Sequence, residues 1–152
     1  MKKIILVVFS VSIFFSGKCQ LDSLSRFEYE VKLNDVWGYV DTLGNEYALV
    51  GLLNGMSVVD ISNSFQPVEV FRSIGPETIW RDIKVYENHA FIVSEANGHG
   101  MQVFDLTRLT DITATPVTFT EDAHYDGFGN AHNIVINPES GYAYAVGTQT
   151  FN

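Results

Sequence analysis

The chain has 152 residues, of which 46% are hydrophobic and 18% charged, a composition that excludes a disordered polymer and is enough for one packed domain. Nine basic residues stand against 18 acidic ones, a formal net charge of −9, which argues against nucleic acid and anionic membrane surfaces as partners and is compatible with a solvated extracellular protein, with cations or with basic partners. The single cysteine, Cys19, leaves no internal disulfide, so the fold must hold by burial and strand pairing.

Residues 1–19 read as a secretory signal peptide. Lys2 and Lys3 are followed by the apolar run Ile4–Phe15 and the small residues Ser16 and Gly17; the run is too short for a transmembrane helix. Cleavage after Cys19 is the expected processing, and lipid attachment at Cys19 is the less favoured alternative, because Lys18 stands where a small residue is usual. Removing Lys2, Lys3 and Lys18 leaves six basic and 18 acidic residues, a balance of −12. No other segment is long and apolar enough to span a bilayer as a helix.

In residues 20–33, the alternating stretch Phe27–Leu33 (FEYEVKL) predicts a half-buried strand that closes a ring by completing its last blade. A first unit follows at 36–76. Its expected strands are Val36–Val40, Tyr47–Leu52, Met56–Ile61 and Pro67–Phe71, with an Asn54-Gly55 hairpin turn and Asp60 capping the next turn. A second unit occupies 79–120, with strands Trp80–Val85, Ala90–Ser94, Met101–Leu106 and, as its outer strand, Thr115–Thr120. A third spans 131–152 and begins with Ala131–Ile136 and Tyr142–Val146.

These units repeat. Ala48–Gly51 falls on Phe91–Ser94 at a step of 43 residues, and the same step takes Trp37 to Trp80. Gly55 (GMSVVDIS) falls on Gly100 (GMQVFDLT) at a step of 45, the two extra residues lying in the turn Asn97–Gly100. Insertions accumulate in turns because a strand cannot change length without losing register. A period in the forties with several strands per copy predicts an all-β fold of β-propeller blades, four antiparallel strands each. The sequence holds about two and a half blades against the roughly four to eight of a closed ring, so it is expected to be the N-terminal fragment of a longer protein whose remaining blades complete the ring.

GMSVVDIS and GMQVFDLT resemble the LVIVD-repeat β-propellers. The fuller string NDVWGYVD, EYALVG, WRDIKVYENHAFIVSEANGHGMQVFDL and AHNIVINPESGYAYAVG is similar to the choice-of-anchor B family of secreted bacterial proteins. The resemblance covers Asn34 to about Thr148. It implies an exported propeller that ends in a surface-anchoring or sorting tail; no such tail is present here. It carries no established catalytic residue set, so it transfers no catalytic or cofactor-binding residue.

The stretch Glu121–His132 is the densest in chemical groups, with three carboxylates and two histidines. His124, Asp126 and His132 are its weak candidates for a divalent metal, and Asp122, Asp126 and Asn130 for calcium, although the spacing matches no closed ligand motif. His89 and His99 fall in turns, His99 between two glycines and therefore expected in solvent. Trp37 and Trp80 are expected as equivalent core residues between blades, with ligand stacking on the ring face as the lesser alternative. Arg81 and Asp82, adjacent in a strand, point to opposite faces and are not expected to pair. Asp60 and Asp105 recur as turn formers. The expected function is an exported scaffold that binds an extracellular protein or glycan without catalysis. A metal-assisted hydrolase at residues 121–132 and a structural surface component are the alternatives.

Overall fold

The computed structural model describes residues 21–149; the expected signal peptide and Cys19 lie outside the described residues. The described part is nearly all β, as its composition and repeat predict.

The first sheet is built from β1 (Leu33–Val40), β2 (Glu46–Leu52), β3 (Gly55–Asp60) and β4 (Val68–Arg72), paired antiparallel in sequence order. The second contains β5 (Arg81–Tyr86), β6 (His89–Ser94) and β7 (Met101–Asp105), again antiparallel neighbours. Between β5 and β6, Glu87 and Asn88 both have positive φ, 45° and 61°, the backbone that a tight two-residue hairpin turn demands. A short 3-10 helix, Leu106–Asp111, follows, then β8 (Val117–Thr118), β9 (Ala123–Tyr125), β10 (Asn133–Ile136) and β11 (Ala143–Val146). The last two pair with each other as a third sheet.

Three expectations are corrected. Phe27–Lys32 forms no strand; β1 begins at Leu33. The segment lies instead across the first sheet, with Tyr29 Oη donating to Ser57 Oγ at 2.9 Å and the Phe27 and Tyr29 rings 5.0 Å apart. Those aromatic rings, rather than backbone pairing, account for its alternating pattern.

The outer strand of the second sheet is not Thr115–Thr120. That role belongs to β9, whose Tyr125, His124 and Ala123 pair with Met101, Gln102 and Val103. Residues 117–118 cross over and add to the edge of the first sheet, parallel to Phe71 and Arg72 of β4. Packing decides the matter. Phe119 stacks on Phe71 at 5.1 Å, and the Arg108 guanidinium covers Phe119 at 3.9 Å. The β-branched stretch thus spends its apolar surface on the first sheet and covers that sheet's edge.

The third correction concerns the tryptophans. Trp37 lies within β1, opposite Leu49 of β2, whereas Trp80 precedes β5, so the two are not equivalent. Both are part-exposed, at 39% and 41%. The Lys84 ammonium sits over the Trp37 ring at 4.5 Å.

The first two sheets share one apolar core, in which Leu49, Met56, Val58 and Phe71 meet Ile83, Ile92, Phe104 and Leu106. A second, smaller core of Val93, Phe128, Ala131 and Ile134 joins the second sheet to the third. The first strands of the sheets, β1, β5 and β10, lie side by side. Asp35 Oδ2 accepts the Ile83 N–H at 2.8 Å, and Asp82 Oδ2 accepts the Ile134 N–H at 2.7 Å, so each sheet hands a carboxylate to the first strand of the next. This is the arrangement of consecutive propeller blades. The described residues close no ring.

Candidate functional site

Antiparallel pairing sorts the loops by end. The starts of β1, β3, β5, β7 and β10 share one end with the finishes of β2, β4, β6, β9 and β11. Segments 73–80, 95–100 and 126–132 therefore gather there, and together with the adjoining end of β9 they bring in three of the protein's four histidines, at 99, 124 and 132. Moving the outer strand to Ala123–Tyr125 is what places His124 at this end.

His99 is not in solvent. It is 4% exposed, with Nδ1 2.7 Å from Ser94 Oγ and Nε2 3.1 Å from Gln102 Oε1. Gln102 Nε2 donates to Ile74 O at 3.2 Å and to Glu121 Oε2 at 3.3 Å, which fixes its Oε1 as the acceptor facing His99. His99 therefore carries its proton on Nε2 and accepts from Ser94 through Nδ1. Burial pulls its pKa down to about 4; the hydrogen bond to Gln102 works against that, while nearby Arg81 and His124 push further down. The two flanking glycines that suggest mobility instead allow the turn to tuck inward: Gly100 has φ +61°, and a Cβ there would collide with the Tyr125 carbonyl.

Arg81 lies beside this network and is 2% exposed. Its Nε donates to Leu52 O at 3.3 Å and one terminal nitrogen, Nη2, to Pro76 O at 2.8 Å, while Nη1 is without a partner among the described residues. Burial lowers the guanidinium pKa to about 10. Gly75 fits against it, since a Cβ would stand 3.2 Å from Nη1 and 3.3 Å from Gln102 Oε1. Arg81 and Asp82 do not pair, as strand geometry predicts. Asp82 turns to Lys84, at 2.5 Å, and to the third sheet. Burial alone would raise the Asp82 pKa, but the hydrogen bonds from Lys84 and Ile134 and the Lys84 charge hold it below the ordinary carboxylate value.

The third group at this end is more open. The Trp80 and His132 rings stack at 4.4 Å and 12°, and Trp80 Nε1 donates to His132 O at 2.8 Å. His132 Nδ1 lies 2.6 Å from Glu95 Oε1, and Asn130 Nδ2 donates to Glu95 O at 3.4 Å. His124 faces a different carboxylate, Glu121, at 3.4 Å. Asp126 follows β9 on the surface. The structure thus gives His124 and His132 to two separate glutamates, and among the described residues no group of three or more His, Cys, Asp or Glu side chains is placed to hold a metal ion. Sequence reasoning singles out His124 and His132, and Trp80 as a lesser alternative to a core role, but misses Glu95 and Gln102 as members of the site. A signal for Gln102 exists: a polar residue alternates with apolar ones in a strand whose neighbours are buried.

At the opposite end, Asp60 Oδ1 accepts the Ser62 N–H at 2.9 Å and Asp105 Oδ1 accepts the Thr107 N–H at 2.9 Å, so the recurring aspartates form turns as expected. No helix among the described residues is long and apolar enough to cross a membrane.

Residues 40–73 and 80–100 match the family model of the LVIVD repeat. The first match runs from the end of β1 through β4, the second from Trp80 to the turn before β7. Both segments are thus similar to one repeat type, in keeping with the repeated sheets. No curated protein and no solved structure matches the sequence.

Proposed function

We propose that the protein is an exported β-propeller scaffold of the choice-of-anchor B kind, which binds an extracellular protein or glycan partner through the loop end that carries residues 73–80, 95–100 and 126–132. The reading places it outside the cell or on its surface, with further blades completing its ring. The observation that carries the binding role is the Trp80–His132–Glu95 cluster: a part-exposed aromatic stack whose members are already held by hydrogen bonds. Side chains fixed before a ligand arrives lose little conformational freedom on binding. An aromatic face beside a carboxylate offers stacking and a hydrogen-bond acceptor together, which suits a sugar ring or a polar peptide group.

The intact protein, screened against a glycan array and a panel of purified cell-surface proteins, tests this. Binding is expected to weaken about tenfold or more in Glu95→Ala, the factor corresponding to about 1.4 kcal/mol, and to persist in Glu139→Ala at the opposite end. Equal losses in the two variants, or no binding to either panel, would overturn the reading.

A further inference from the structure

The sequence holds two Asn-Gly dipeptides, Asn54-Gly55 and Asn97-Gly98, each in the turn that precedes the third strand of its sheet. Sequence alone gives them the same chemistry: the glycine, having no side group, leaves its backbone nitrogen open to approach by the asparagine carboxamide carbon. The structure separates them. We propose that Asn97 is a site of spontaneous deamidation and that Asn54 is protected from it.

Asn97 and Gly98 are both exposed. Gly98 has φ +72°, and a Cβ placed on it would meet nothing within 4 Å. Neither the Asn97 carboxamide nor the Gly98 N–H takes part in a hydrogen bond among the described residues. Among the described residues the turn is closed by the His99 N–H donating to Ala96 O at 3.2 Å, a long bond that engages neither the carboxamide nor the Gly98 nitrogen, so the backbone rotation that brings the Gly98 nitrogen onto Asn97 Cγ has that one bond to loosen.

At Asn54-Gly55 the asparagine is exposed as well, but the backbone is held. Gly55 is buried, starts β3 opposite Leu52, and lies so close to the Ser73 carbonyl that a Cβ would overlap it. The next residue, Met56, exchanges two hydrogen bonds with Ser73: its N–H donates to Ser73 Oγ at 3.0 Å and its carbonyl accepts the Ser73 N–H at 2.8 Å. The Asn54 carbonyl is itself pinned by the Gly75 N–H at 2.9 Å. Cyclisation there would have to break the packing of β3 against the strap 73–80.

At Asn97 the Gly98 nitrogen forms a bond to Cγ, and the bond between Cγ and the carboxamide nitrogen breaks. That nitrogen leaves as ammonia with the proton that the Gly98 nitrogen gives up. Water then adds to either carbonyl of the succinimide ring and opens it, giving aspartate or isoaspartate with no change of oxidation state. Either product adds a negative charge two residues from Glu95 and two from His99. Isoaspartate also lengthens the backbone by one carbon in the turn that positions His99.

The test ages the intact protein in mildly alkaline buffer made with oxygen-18 water and maps peptides by mass spectrometry. Asn97 is expected to gain the mass of an NH2-to-OH exchange with one labelled oxygen, as a mixture of aspartyl and isoaspartyl peptides. Its rate is expected to exceed that at Asn54 by about tenfold or more, the factor that a barrier higher by about 1.4 kcal/mol imposes. In protein unfolded in denaturant the two rates are expected to converge. Equal rates in the folded protein, an unchanged Asn97, or labelled aspartate without isoaspartate would overturn the proposal.

Discussion

His99 shows how a residue's setting reverses its outward signature. A histidine between two glycines suggests a mobile, wet loop, yet burial and the neighbouring Arg81 hold it neutral in the interior, where Ser94 and Gln102 meet its two ring nitrogens. The sign of the pH effect follows. Its folded pKa, about 4, lies below the ordinary histidine value of 6.5, so the unfolded protein takes up the proton first as pH falls. Stability from this group is complete above 6.5 and is lost between 6.5 and 4, on the order of 3 kcal/mol in all. In urea unfolding at stepped pH, the stability difference between the native protein and His99→Asn is expected to shrink as pH drops through that window; a constant difference would show that His99 is not held neutral. Glu87 offers a gain rather than a loss. It occupies a left-handed backbone conformation that asparagine tolerates better, so Glu87→Asn is expected to stabilise by about 0.5 kcal/mol, seen as a higher denaturation midpoint. Sequence misplaces His99 because glycine spacing reports backbone freedom, not burial. It misplaces Trp37 and Trp80 because an equal step in sequence does not survive a change of turn length: five residues (41–45) join the first two strands of the first sheet and two (87–88) join those of the second, so Trp80 falls before β5 and not at the place of Trp37.

The strands themselves are largely legible in the sequence, because alternation, Asn-Gly and Glu-Asn turns and the repeated GM-x-V frame are local signals. The outer strand of the first sheet is legible too, since Pro67–Phe71 coincides with β4, but that of the second sheet is not. The stretches after the 3-10 helix are short, so their partner is chosen by packing far away in sequence; Val117 and Phe119 go to the first sheet and Ala123–Tyr125 to the second. This assignment is open to direct test. In a background where Cys19 is serine, a cysteine pair at Val103 and Ala123, which face each other across β7 and β9, is expected to oxidise to a disulfide, whereas a pair at Val103 and Thr118 is not. The reverse outcome would restore Thr115–Thr120 as the outer strand. The repeat also sets matched constraints. Gly55 and Gly100 press against the carbonyls of Ser73 and Tyr125, each at the end of its own sheet's outer strand. Alanine at either is expected to cost about 2–3 kcal/mol, while Gly98→Ala, with open space around it, should cost only about 1 kcal/mol in the same denaturation assay.

At the scale of the whole molecule, what repeats is the way one sheet is joined to the next. Asp35 reaches Ile83 and Asp82 reaches Ile134, at the same place on successive first strands. Asp82 is 5% exposed and also holds Lys84, so Asp82→Ala, which takes away that lysine's carboxylate and leaves the Ile134 N–H without its acceptor, is expected to cost about 3 kcal/mol. Sequence shows the period and hence the sheets; it does not show the seam, because an aspartate in a strand looks the same whether it meets water or the next strand's N–H. The central claim, that consecutive sheets are joined edge-on by these carboxylates as blades are, is tested most directly by residue-resolved amide hydrogen exchange. The native protein should protect both Ile83 and Ile134. Asp35→Ala should release Ile83 and leave Ile134 protected, and Asp82→Ala should do the opposite. Fast exchange at both amides in the native protein, or no site-specific change in either variant, would contradict the account.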